Sequence, residues 1–284
     1  MRISSAPRGR AANVESVGEM MADHLSGYRG KDSVRWPQPT LRNRLLEAMT
    51  PEDLTLIAPH LRAVELNLRD VVIAPGLPAA SCFFVEEGVV SVATMDRPAR
   101  IELGLVGREG LVGAMPVLLG DGRSPYAHIV QMPGRGLAIP SQALRAAVAR
   151  SASLQCLLLA YVQAQALQLA ESIYAQAALN LDARLARWLL MCQDRVSGDA
   201  IALTHEFLSI MLGVQRAGVT LALQGLEGAG LIRARRKRIE ILDRGGLEAL
   251  TEGSYGVAEA AYTRLVEGDR AEAGSEGFRP PPAA

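Results

Sequence analysis

The sequence predicts an α+β fold in three parts, and three observations predict it. Between about 63 and 140 the chain is a succession of short apolar runs, from VELNL through CFFVEEG and VVSVATM to AHIVQM and GLAIP, punctuated by Gly76, Gly88, Gly107, Gly113, Gly120 and Gly134. From Ser151 to Ala178 there is no Gly or Pro, and Ala, Leu and Gln abound. From 203 to 242 two helical patterns precede a pair of short apolar strands with an arginine cluster between them.

Many short strands separated by turn residues make an antiparallel β-barrel or jelly roll, here over 39–150. GREGLVG at 107–113 has the look of a phosphate loop, but it lies between barrel strands and not between a strand and a long helix, so it reads as a turn.

The stretch 151–179 reads as a long dimerisation helix. Leu159, Val162, Ala166, Leu169 and Ile173 recur in steps of three and four, the rhythm of a coiled-coil seam. Leu154, Leu158 and Tyr161 lie on a different side. A helix apolar on two sides must be covered twice, most simply by its own barrel and by a partner helix. After Asn180, a suitable cap, LDARLARWLLMCQDRV forms another amphipathic helix that opens a module over 180–250.

Within that module Thr204 can cap a helix whose Phe207, Leu208 and Met211 share a buried face, and Glu206 suits the positive end of its dipole. Gly213 fits the tight turn that follows. Val219, Ala222, Leu223 and Leu226 commit one face of the second helix to the core. Outward remain Gln215, Arg216, Ala217, Thr220, Leu221 and Gln224. Leu231–Ile232 and Ile239, Ile241 and Leu242 form a hairpin with Arg233, Arg235, Arg236, Lys237 and Arg238 between them, although no Gly or Asn stands at its turn. Helix, turn, helix and basic hairpin in this order make a winged helix-turn-helix that engages duplex DNA.

The roles follow from chemistry. Arg216 can donate two hydrogen bonds to guanine O6 and N7, a contact that discriminates by roughly 1–3 kcal/mol. Thr220 can touch a thymine methyl group or a phosphate, and Gln224 can reach adenine if the helix lies deep. Thr204, His205 and Gln215 complete the candidate set around the two helix starts. The five basic residues of the wing add affinity through phosphates and counterion release, with little sequence information.

At 284 residues and 49% hydrophobic the chain suits two domains. Its zero net charge does not exclude nucleic acid, because clustering of positive charge decides that. Cys82, Cys156 and Cys192 are scattered, and His24, His60, His128 and His205 show no ligand spacing, so no disulfide framework, metal or cofactor is expected. No apolar run reaches the ~20 residues that span a bilayer, and the basic N-terminus lacks a following apolar core. A reduced cytoplasm and no membrane partner are therefore expected. Residues 1–38 and the segment after about 267 read as disordered, with 251–284 as a tail.

On RLARWLL at 184–190 and THEFLSIMLGVQRAGVTLALQGLEGAGLI at 204–232, together with the order of barrel, long helix and winged module, the chain resembles the Crp/Fnr family of bacterial transcription regulators over about 40–250. The resemblance implies a homodimer in which the long helices pair and each copy sets a recognition helix in successive major grooves of a two-fold symmetric site. An activator would also meet RNA polymerase. Cyclic-AMP-binding members carry an Arg-Glu pair and a further Arg one turn on; here Arg216, Ala217 and Leu221 stand there, so only the first carries over. Their nucleotide pocket uses Gly-Glu and then Arg-Ser or Arg-Thr. This chain offers Gly113-Ala114 and Arg123-Ser124, with Pro125 following and the arginine's register uncertain by one position. Gly113, Arg123 and Ser124 are thus candidate effector residues, but the missing carboxylate argues against cyclic AMP.

The expected function is a sequence-specific DNA-binding regulator, open to an unidentified effector at the barrel. Alternatives are a ligand-independent regulator of the same family, a cupin-like barrel enzyme or a protein-binding module. An enzyme of that kind needs two or three converging histidines, and the barrel segment holds only His128.

Overall fold

The computed structural model describes residues 41–95, 101–196, 198, 200–203, 205–236 and 238–268. The expectations of disorder for 1–38 and for the far C-terminal segment lie outside these residues. So do those for Thr204 and Lys237 and for the side chain of Glu206.

Two long strands organise the first half. After the short helices α1 (Arg44–Glu47) and α2 (Pro51–Ile57) come β1 (Arg62–Leu66), β2 (Val71–Ile73), β3 (Ser81–Ala93), β4 (Glu102–Val106), β5 (Leu111–Val112), α3 (Ala114–Leu119) and β6 (Ala127–Pro140). All pairings are antiparallel, in the order β1-β6-β3-β4, with β2 beside β6 and β5 beside β3. Cys82 and Phe84 point to a layer of helices that includes Leu45, Leu144 and Leu158, whereas Phe83 and Val85 point to an interior shared with Leu66, Ile73, Val106, Val112 and Val130. A strand buried on both faces has no reason to alternate, which explains the unbroken apolar run CFFV.

Helix α4 (Ser141–Val148) leads to α5 (Ala152–Ala178), whose first turn is capped by Ser151 and further tied by Ser151 and Ser153 to the Asp53 carboxylate. Asn180 Oδ1 accepts from Ala183 N at 3.0 Å and caps α6 (Leu181–Gln193). Every residue from Leu185 to Cys192 is buried, so α6 is surrounded and not half-exposed. Its core continues into α7 (His205–Leu212), α8 (Arg216–Gly228) and a small sheet, and also onto Val89, Leu105 and Met132 of the first half. The two halves thus share one apolar cluster.

That small sheet is ordered β7 (Ala200–Ile201), β9 (Arg238–Ile241), β8 (Ile232–Arg235). Beyond it, α9 (Arg244–Leu250) is followed by α10 (Val257–Tyr262) and one π-helical turn, Thr263–Glu267. The part of the expected tail up to 268 is therefore structured. It packs back against α5, with Tyr262 Oη donating to the Glu109 carbonyl at 2.7 Å and Arg44 Nε donating to Glu267 Oε1 at 2.8 Å. The Arg44 guanidinium also lies 4.9 Å from the Tyr262 ring centroid. Among the described residues no single helix is long and apolar enough to cross a membrane.

Candidate nucleic-acid interface

Helix α8 is oriented by its sequence. Val219, Ala222, Leu223 and Leu226 are all buried, while Gln215, Arg216, Ala217, Leu221 and Gln224 are exposed. Gln215 occupies the N-cap position, and its own side chain caps none of the backbone N–H groups at the helix start. Gly213, at φ 64°, makes the left-handed turn between α7 and α8 that a side chain would strain. Phe207 stands edge-on to Trp188 of α6 at 5.3 Å and fixes α7 to its support.

His205 and Thr220 meet. The His205 Nδ1 and Thr220 Oγ1 atoms are 3.2 Å apart, and the Thr220 hydroxyl donates to the Arg216 carbonyl at 3.0 Å. The hydroxyl expected for DNA is thus already engaged within its own helix, which leaves the methyl group as the contact Thr220 offers.

The wing departs from its expected layout. Its strands extend further toward the tip, so Arg233, Arg235 and Arg238 are strand residues, with Arg235 opposite Arg238. Arg233 lies across from Glu240 and pairs with it at 3.2 Å, which takes it away from the tip and neutralises it locally. Arg235, Arg236 and Arg238 are exposed. Glu227, near the end of α8, accepts from Ala234 N at 2.9 Å and ties β8 to the helix. Nothing in the sequence pattern distinguishes Glu227 from a solvated acid.

The candidate seam on α5 keeps three of its five residues, and the other two face inward. Leu159 and Ile173 are 43% and 66% exposed and Ala166 is exposed, but Val162 is buried against its own sheet domain. Leu169 is half-buried over Gly104 of β4, where a Cβ would stand 2.9 Å from Leu169 Cδ2. Two apolar stripes run along α5, and only contact with the sheet shows which residues each one takes. The outward stripe is Cys156, Leu159, Gln163, Ala166, Ala170, Ile173 and Ala177.

The effector candidates are each engaged in local structure. Gly113, at φ 86°, turns the chain into α3, and a Cβ there would meet Ile73 Cδ1 at 2.8 Å, so packing accounts for it. The Arg123 guanidinium sits at the surface, donates to the Gly76 carbonyl at 2.7 Å and pairs with Asp121. Ser124 is buried and accepts from Tyr126 N. These contacts tie the loop around Arg123 and Ser124 to the segment from Gly76 to Ala79.

The sequence pattern missed the junction between the halves. Trp188 Nε1 on α6 donates to Glu102 Oε1 on β4 at 2.9 Å, and burial pushes the Glu102 carboxyl up to about 8 despite hydrogen bonds from Trp188 and Ser91. Arg187 Nε donates to the Ser254 carbonyl at 3.0 Å, and burial holds its guanidinium below the usual range. Arg195 pairs with Glu109 at 2.9 Å; burial acts against its charge but is outweighed by Glu109, Glu259 and other neighbours, so it is raised. An arginine and a tryptophan inside an otherwise apolar helix were the available signal.

Comparison with known proteins agrees with this geometry. Residues 183–250 match the Crp-like helix-turn-helix domain, and residues 63–151 match the cyclic nucleotide-binding domain. The chain is 24% identical over 177 residues, 59% of its length and 79% of the relative's, to a global nitrogen regulator of Nostoc sp.. Among solved structures it is similar to a Crp/Fnr-family transcriptional regulator from Eubacterium rectale, at 18% identity and TM-score 0.58 over 74% of this chain and 98% of that one. It is also similar to FixK2 from Bradyrhizobium japonicum, at 17% identity and TM-score 0.58 over 67% and 96%. At these identities the structural likeness establishes the fold.

A sheet domain of the cyclic nucleotide-binding type joined to a winged helix-turn-helix defines a DNA-binding transcriptional regulator. The chain belongs to the Crp/Fnr family.

Proposed function

We propose that this regulator acts as a homodimer joined along the outward stripe of α5. Each copy then places α8 in a major groove of a two-fold symmetric duplex site. Arg216 is the base reader, with Gln215, Gln224 and the Thr220 methyl beside it, and Arg235, Arg236 and Arg238 contact phosphates together with Lys237. Where the regulator activates, RNA polymerase is its further partner.

The observation that carries this reading is the stripe itself. α5 has 27 residues, about 40 Å at 1.5 Å per residue, and its inward side is already buried. An exposed row repeating in steps of four and three on such a helix supports a second copy of the same helix. Control without cyclic AMP is supported by the absence of an acid after Gly113 and by the surface position of Arg123.

Selection of bound fragments from random DNA, with the solution mass measured alongside, tests the reading. The expected result is a dimer and a palindrome with half-sites about 34–36 Å apart, one helical turn. A monomer bound to a single half-site would overturn it.

A further inference from the structure

We propose that the cavity between the sheet domain, α5 and the C-terminal helix α10 is a binding site for a small organic or inorganic anion. Arg108 would supply its cation and Gln165 its second polar handle. The cavity measures about 300 Å³, at the lower end of small-molecule sites. It lies outside the interior of the sheet domain, which Leu66, Ile73, Phe83, Val85, Val106 and Val130 fill.

The charges around the cavity single out Arg108. Three other arginines reach its wall, and each has an acid: Arg195 with Glu109, Arg244 with Asp194, and Arg44 with Glu267. The remaining carboxylate, Glu259, accepts from Gly256 N at 3.0 Å at the start of α10 and lies in the field of Arg187 and Arg195. Arg108 has no acid among the described residues, and its Nε is buried without a hydrogen-bond partner. A half-buried guanidinium whose Nε is an unused, buried donor favours an anion that can accept from it. Gln165 is 9% exposed, and its carboxamide has no partner among the described residues, so it too presents unused polar atoms to the cavity.

Arg108 is held in place. It sits on the Gly107–Gly110 turn, where a Cβ at Gly107 would stand 2.6 Å from Arg195 Cγ and one at Gly110 would stand 2.3 Å from Tyr161 Oη. The turn is therefore clamped between the end of α6 and the middle of α5. Tyr161 and Tyr262, edge to face at 6.5 Å, add an apolar wall suited to a compact carbon skeleton. Because the DNA-binding half and the sheet domain both line the cavity, a bound anion favours one disposition of the two over others. That last step rests on the regulatory reading above; anion binding itself does not, so the two can fail separately.

The test is thermal unfolding of the full chain, without DNA, in succinate and in inorganic phosphate at ionic strength matched with sodium chloride. At least one of the two anions should raise the midpoint by roughly 5 °C at a hundredfold excess over Kd. Succinate alone would identify a carboxylate site and phosphate alone a phosphate site. The response should vanish in Arg108→Gln, weaken at least tenfold in concentration in Gln165→Leu, and persist in Arg123→Gln. Gln165→Leu decides the matter where Arg108→Gln does not fold. No shift beyond the chloride control, or an unchanged response in both cavity variants, would overturn the proposal.

Discussion

Arg235, Arg236 and Arg238 on the wing and Arg187 and Arg195 at the junction are one residue type in opposite surroundings. The wing arginines are exposed, and none pairs with an acid among the described residues. The junction arginines are 5% and 6% exposed, and each holds a specific acceptor: the Ser254 carbonyl for Arg187, Glu109 and the Met191 carbonyl for Arg195. Exposed unpaired charge is available to phosphates and screened by salt, whereas buried paired charge is committed to one geometry. Clustering in sequence marks the first use. The second is dispersed along the chain and becomes visible only when the elements assemble.

The largest expected effect comes from removing a junction arginine. Arg195→Ala removes a buried cation and leaves the half-buried Glu109 without its partner, and should cost about 3–5 kcal/mol of stability in urea unfolding. A loss under about 1 kcal/mol would mean that the pair behaves like a surface one.

Neutralising the wing should act on binding instead. Arg235→Gln, Arg236→Gln and Arg238→Gln together should make the slope of log K against log salt less negative by about 2.7, or roughly 0.9 for each phosphate that is no longer neutralised. Stability should move by no more than about 0.5 kcal/mol. Arg233→Gln, at the position paired with Glu240, should leave the slope nearly unchanged; an equal contribution from Arg233 would erase the distinction between tip and strand.

The smallest effect concerns Glu102, which shares the junction with these arginines. Its carboxyl holds a proton more tightly folded than unfolded, so it lowers stability as pH rises from about 4.5 to about 8 and adds nothing beyond. His128, which burial pushes down to about 4, works in the other direction, with stability lost as pH falls below about 6.5. Comparing Glu102→Gln with the parent cancels the histidine. The variant should match the parent near pH 4.5 and exceed it by roughly 1–3 kcal/mol above pH 8, while keeping the acceptor for Trp188. Parallel stability curves from pH 5 to 9 would show that Glu102 is ionised throughout.

The recognition helix is legible in the sequence because each of its apolar positions has a single destination. Val219, Ala222, Leu223 and Leu226 pack into one core, and the period alone places them. α5 is half legible. Both of its faces are apolar, and Val162 and Leu169 belong to the inward one for a reason held by β4 and the sheet, far away in sequence. The wing is marked by its charge, but its strand ends are not, because Arg233 resembles its neighbours until Glu240 is placed opposite. The segment 257–267 is apolar enough to pack, but the destination of its buried residues, Ala258, Ala261, Tyr262 and Val266, is set by α5 and the Gly107–Gly110 turn, far away in sequence. Arg108 gives no signal in a chain with so many arginines; its lack of an acid is a property of three dimensions.

The clasp between Arg44 and Glu267 joins residues 223 positions apart. Contacts of such long range close late, because the chain entropy they remove is offset only after the intervening parts are in place. During synthesis the helix-turn-helix and its wing leave the ribosome before Glu267 does. In each newly made copy the cover over the Arg108 cavity can therefore shut only after the whole DNA-reading surface has been synthesised.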